Sequence, residues 1–125
     1  MKKIHSTDKA PAAIGPYSQA TSHNGILYCS GQIPLDPESM ELVGNTAAEQ
    51  AEQVMKNLEA VLEEAGADFS RVLKCTIFLA DMGDFAAVNE VYGARFESEP
   101  PARETVAVKT LPKNVLVEIS CIAHL

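Results

Sequence analysis

An arginine stands directly after a proline pair in Pro100-Pro101-Ala102-Arg103-Glu104-Thr105-Val106, where a strand-forming run also begins. The prolines fix their own backbone angles and forbid a helix from continuing, so the chain must leave them extended. A guanidinium at such a junction can present its planar fork to a carboxylate with less freedom to lose than one on a mobile loop. The plain alternative is a surface arginine in a weak ion pair with Glu104 or Glu118. Glu118 needs its own explanation. It sits in the apolar run Val115 to Ala123, where alternation puts Val117, Ile119 and Cys121 on one face and Leu116, Glu118, Ser120 and Ile122 on the other. A lone carboxylate is costly there, so Glu118 must lie at an edge, pair with a cation, or hold a raised pKa for a purpose. The turn Leu111-Pro112-Lys113-Asn114 suggests a hairpin joining the two strands, which would bring Glu118 towards Arg103.

Three further places could present polar groups. Residues 7 to 16 contain Pro11, Gly15 and Pro16, which rule out regular structure and suggest an ordered loop that aims Tyr17. In Ser30-Gly31-Gln32-Ile33-Pro34 the glycine lets backbone approach another group closely and Pro34 ends the strand. Asn89 falls one helical turn after Phe85, as an amide at a buried edge. It suits either a structural bond to a loop backbone or a substrate contact. His5, His23 and His124 lack ligand spacing and there is no Cys-x-x-Cys pair, so no metal site is expected. Cys29, Cys75 and Cys121 each lie in an apolar segment and read as reduced packing thiols.

The elements that must position these groups are legible from pattern. Asn24-Gly25, between Tyr17 to Ser22 and Ile26 to Ser30, predicts an antiparallel hairpin. Thr46-Ala47-Ala48-Glu49 has capping-box spacing and opens a helix with Ala51, Val54, Met55, Leu58, Val61, Leu62 and Ala65 on its core stripe, stopped by Gly66. Gln50 and Asn57 lie at the margin of that stripe and suit hydrogen bonds to the edge of the core. Residues 72 to 80 form a strand apolar on both faces, with Leu73, Cys75, Ile77 and Leu79 on one side. Asp81 or Asp84 caps a second helix carrying Phe85, Val88, Tyr92 and Phe96.

The 125 residues fit a single domain, read as 1-125. A net charge of -7 opposes attraction to nucleic acid or anionic membrane, so neither is expected as a partner. Lys2-Lys3 is followed by no apolar stretch and no segment approaches a membrane span, so the expected location is cytoplasmic. The element order gives an α+β fold, a mixed sheet of about six strands with two helices on one face. Strands apolar on both sides leave an open face for other copies of the chain to bury, and a site near strand ends would then lie between subunits.

With these elements in place the chain resembles the RidA/YjgF family of small imine deaminases over essentially its whole length. The residues that carry the likeness are Ala12 to Ala20, Ser30-Gly31-Gln32-Ile33-Pro34, Asp81-Met82-Gly83-Asp84-Phe85 with Val88-Asn89, Pro101-Ala102-Arg103, and Leu111-Pro112-Lys113 leading to Val117-Glu118-Ile119. The resemblance implies a chorismate-mutase-like fold and a homotrimer with a central β-barrel and active sites in the clefts between subunits. It also implies hydrolysis of 2-imino acids such as 2-iminopropanoate and 2-iminobutanoate, released by pyridoxal-phosphate-dependent dehydratases. The products are 2-oxo acids and ammonia, and no cofactor is required. On that likeness Arg103 anchors the substrate carboxylate, Glu118 polarises water and passes a proton, and Tyr17 completes the catalytic set. Ser30, Gly31, Asn89 and Thr105 bind substrate. Thr105 stands where many relatives have cysteine, so a required thiol at that place is excluded. The competing readings are a non-catalytic module that binds small carboxylates, and a role on RNA or as a chaperone, which the acidic balance disfavours.

Overall fold

Asn24 and Gly25 both take positive φ, 51° and 80°, and so turn one strand tightly back on the next. The computed structural model describes residues 1–125. In chain order it contains β1 (Lys3–His5), β2 (Ala20–His23), β3 (Ile26–Gln32), α1 (Ala47–Glu64), β4 (Val72–Leu79), α2 (Phe85–Gly93), β5 (Ala102–Ala107) and β6 (Val117–His124). The strands form one sheet in the order β1-β2-β3-β6-β4-β5. Only β4 and β5 run parallel, which makes the sheet mixed. The α+β architecture read from the sequence is the one observed.

The capping box of α1 forms as its spacing predicts: Thr46 Oγ1 accepts from Glu49 N, and the Glu49 carboxylate accepts from Thr46 N. Gly66 takes φ +84° and stops the helix. Val54, Met55, Leu58 and Leu62 pack into the same core as Leu27, Ile77 and Ile119 of the sheet. The sheet's other face carries Ile4, Tyr28 and Ile122 along one row of register positions, and Glu118, Phe78 and Val106 along another. Ile4, Tyr28 and Val106 are among the most exposed large apolar side chains of the chain.

Two expectations are corrected. Leu73 does not face the core, because a bulge between Val72 and Lys74 shifts the register and turns Leu73 outwards. More consequentially, β5 and β6 do not form a hairpin, since β4 lies between them. A strand that follows a crossover helix pairs parallel to the strand before it, and β5 takes that place beside β4. Residues 108 to 116 then pass over the end of β4, where Val108 N donates to Leu79 O at 2.9 Å and Ala80 N to Leu116 O at 3.1 Å. The turn within this crossing needs Lys113 and Asn114 at φ 55° and 54°.

Gln50 and Asn57 do hold the margin of the core. Gln50 Oε1 accepts from Leu116 N at the entry to β6. Asn57 Nδ2 donates to Ile33 O and Leu35 O at 3.2 and 3.0 Å. With Asn57 fully buried, Asn57→Ala strands two carbonyls and should lower unfolding free energy by about 2 kcal/mol in a denaturant titration.

Candidate functional site

Gly31 is where β3 meets the Glu118 side chain. The ladder between β3 and β6 breaks register between Cys29 and Gln32, and a Cβ built on Gly31 would lie 2.7 Å from Glu118 Oε2. The close approach expected of this glycine is thus to the carboxylate itself. Glu118 is half-buried and has no cation within ion-pair distance. Burial alone raises its pKa above the ordinary 4.5. Of the three states open to such a residue, a cation partner is therefore excluded within one chain, and a raised pKa is what is found.

Glu118 lines a cavity of about 330 Å³ together with Tyr17, Gly31, Ile14, Ile33 and Lys113. The loop carrying Ile14 and Tyr17 is fixed from below by Gln19, which is almost wholly buried. Its Oε1 accepts from Thr7 N at 2.7 Å, and its Nε2 donates to Thr7 O, Ala10 O and Pro11 O. One amide therefore holds both ends of a segment that prolines already stiffen. Ser30 Oγ donates to Ser18 O at 2.6 Å, tying the base of the loop to β3. The hydroxyl proton is committed there, leaving Ser30 an acceptor towards a ligand.

Arg103 lies elsewhere. On β5 it pairs with Cys75, whose side chain is in the helix-facing core, so Arg103 projects on the helix side of the sheet at its edge. Its guanidinium carbon stands 5.1 Å from the centroid of the Tyr92 ring and 5.4 Å from that of Phe85. Nη1 donates to Asn89 Oδ1 at 2.5 Å. Asn89 is exposed and bonds this side chain, which corrects the placement at a buried edge and the loop backbone as partner. The plain reading of Arg103 as a partner of Glu104 is also overturned, because Glu104 pairs with Lys74 at 3.1 Å. Thr105 follows Arg103 on the same side, its hydroxyl buried without a partner.

The structure therefore gathers Tyr17, Gly31 and Glu118 around one cavity, sets Ser30 in an adjoining hollow that it shares with Tyr17, and places Arg103, Asn89 and Thr105 elsewhere. Glu118 pairs with Phe78, three positions along β4 from Cys75 and across the opposite edge of that strand. Strand spacing separates the two backbones by about 10 Å along the sheet and about 10 Å across it. Their side chains also leave opposite faces. Residues that sequence reasoning missed are Gln19, which no local pattern distinguishes, and the two rings under Arg103. Phe85 and Tyr92 were visible as a helical stripe, but the stripe reads equally as plain core.

Residues 7–125 match a family described as Endoribonuclease L-PSP. Protein DfrA of Myxococcus xanthus is 58% identical over 98% of this chain and 94% of its own length. The mouse 2-iminobutanoate/2-iminopropanoate deaminase is 50% identical over 98% of this chain and 91% of its own. Among solved structures, Escherichia coli TdcF with bound serine superposes with TM-score 0.92 at 37% identity, covering 98% of each chain.

The raised pKa of Glu118 carries a stability consequence. The unfolded chain ionises near the ordinary value of 4.5 and the folded chain above it, so the folded state holds the proton more tightly between the two. Stability is lost as pH rises through that window. Glu118→Gln should therefore melt at a higher temperature than the native chain at neutral pH, and the two should converge below about pH 4.

Proposed function

The chain belongs to the RidA/YjgF family, and from that premise we propose that it hydrolyses 2-imino acids to 2-oxo acids and ammonia, in a cleft completed by two copies of the chain. The observation that carries this reading is Glu118, a half-buried carboxyl with a raised pKa and no cation partner, facing a cavity shared with Tyr17 and Gly31. Such a group is poised to take a proton from water and return it. The second requirement is a cation for the substrate carboxylate, and Arg103 has a guanidinium held on two rings and one amide with no carboxylate in reach. The deaminase name of the mouse relative and the serine bound to the Escherichia coli relative both support a small amino-acid-like ligand.

In the proposed reaction the substrate carboxylate lies on the Arg103 fork, which sets the imine carbon against a water held by Glu118. The water oxygen bonds to the imine carbon while its proton passes to Glu118, and Glu118 delivers that proton to the nitrogen. The resulting carbinolamine loses its C–N bond as Glu118 takes its hydroxyl proton and hands it to the departing nitrogen, releasing ammonia and the 2-oxo acid. Tyr17 borders the Glu118 cavity and suits a hydrogen bond to the developing oxygen. Free imines already hydrolyse in water, so positioning and modest proton transfer suffice without a strong nucleophile.

One chain cannot bring Arg103 and Glu118 together, because they leave opposite faces of the sheet. A closed homotrimer, its open sheet faces joined, would bury Ile4, Tyr28 and Val106 and set one copy's Arg103 against another's Glu118 cavity. The net charge of -7 gives no support to a polyanion as substrate.

An assay in which a threonine dehydratase supplies 2-iminobutanoate tests the reading. The native protein should accelerate imine loss. Arg103→Ala should raise KM by about 100-fold. Glu118→Gln should lower kcat by about 100-fold or more. The native kcat/KM should fall on the acid side with an apparent pKa above 4.5. Saturable 2-oxo acid binding without turnover would instead identify a non-catalytic carboxylate-binding module.

A further inference from the structure

Two arginines stand on the same run of aromatic rings, and their surroundings differ. Arg95 lies 5.7 Å from the Phe69 centroid and is closed off by two carboxylates, Glu52 at 2.6 Å and Glu59 at 3.4 Å. From Phe69 the rings continue edge-on to Phe96 at 5.5 Å and then to Tyr92 at 4.8 Å, and Tyr92 meets Arg103. Arg103 has rings and a neutral amide for company and no acid. Its charge is held by π-faces, which fix the plane of the guanidinium without competing for its in-plane donors.

Tyr92 is placed for this task in more than its ring. It is 4% exposed, and its hydroxyl has no oxygen or nitrogen partner. The hydroxyl lies against the Cys75 thiol, on the strand position directly beside Arg103. Burial raises its pKa far above the ordinary range, so the phenol stays neutral and sets no anion beside the guanidinium. Phe85, Asn89 and Tyr92 fall at helical spacing on one side of α2 and all three touch Arg103.

We propose that Tyr92 is a positioning residue: its buried ring, with Phe85 beside it and Asn89 at one end of the fork, holds the Arg103 guanidinium flat so that the free edge meets a substrate carboxylate already oriented. Asn89 then acts on the arginine and not on substrate. The inference rests on the reading of Arg103 as the carboxylate anchor, and it concerns binding rather than the proton transfer at Glu118.

The test measures calorimetric binding of 2-oxobutanoate alongside imine hydrolysis in the full-length protein. Tyr92→Leu should raise both Kd and KM about fivefold with kcat within about twofold, the loss of a cation–π contact at an exposed guanidinium. Tyr92→Phe, which keeps the ring and loses only the hydroxyl, should restore Kd and KM to within about twofold of the native values. Should Tyr92→Leu fail to fold, Phe85→Leu removes the other ring from a less buried place and should raise Kd and KM in the same direction. A Tyr92→Leu or Phe85→Leu protein that melts earlier but binds with native Kd and KM overturns the proposal, since ring packing alone would produce that result. Native binding that Tyr92→Leu weakens, without hydrolysis by any variant, upholds the positioning role and sinks the deaminase reading. Absence of 2-oxobutanoate binding by the native protein sinks both.

Discussion

The insertion of β4 between β5 and β6 governs everything else about this molecule. Register fixes which side of the sheet each residue faces, and one strand sets two residues in opposite positions at once. Cys75 takes Arg103 to the helix side, and Phe78 takes Glu118 to the open side. A hairpin between β5 and β6 would have allowed one chain to own a complete site. The parallel pairing of β4 and β5 removes that option, so chemistry that needs both groups needs two chains. The open face, with Ile4, Tyr28 and Val106 exposed on it, supplies an independent reason for the chains to meet.

Each half of the proposed site is held by a different kind of force. Around Glu118 the work is steric and dielectric: Gly31 leaves room for the carboxylate, and burial without a partner raises its pKa. Gln19 spends its amide on the loop backbone, so Tyr17 borders the cavity on a fixed frame. Around Arg103 the forces are aromatic and directional, two rings below and one amide at the side. A carboxyl kept short of a partner costs stability that a neutral amide would recover, a common exchange at reactive sites.

Much of the fold was legible in the sequence because local signals agreed with tertiary ones. Asn24-Gly25, the Thr46–Glu49 box and Gly66 each had one physical meaning, and each took it. Strand order was not legible, since turn residues 111 to 114 describe a bend equally suited to a hairpin or to a crossing over a third strand. Nor was the bulge that turns Leu73 outwards, which depends on register with β6. In the candidate site, Arg103 and Glu118 stood out because a charge in a strand run demands a reason. Their supports did not, because Tyr92 and Phe85 read as core and Gln19 as an ordinary polar residue. Asn89 was singled out for its amide, yet its partner is a side chain fourteen positions away that helical spacing cannot reveal.

The claim that one site draws on two chains is tested most directly by mixing two damaged ones. Arg103→Ala and Glu118→Gln chains, each inactive alone on 2-iminobutanoate, would be unfolded together in equal amounts and refolded as mixed assemblies. Random assortment should give about one cleft in four with an intact Arg103 from one chain facing an intact Glu118 from the next, and about that share of native activity. Activity no higher than that of either variant alone would contradict the account.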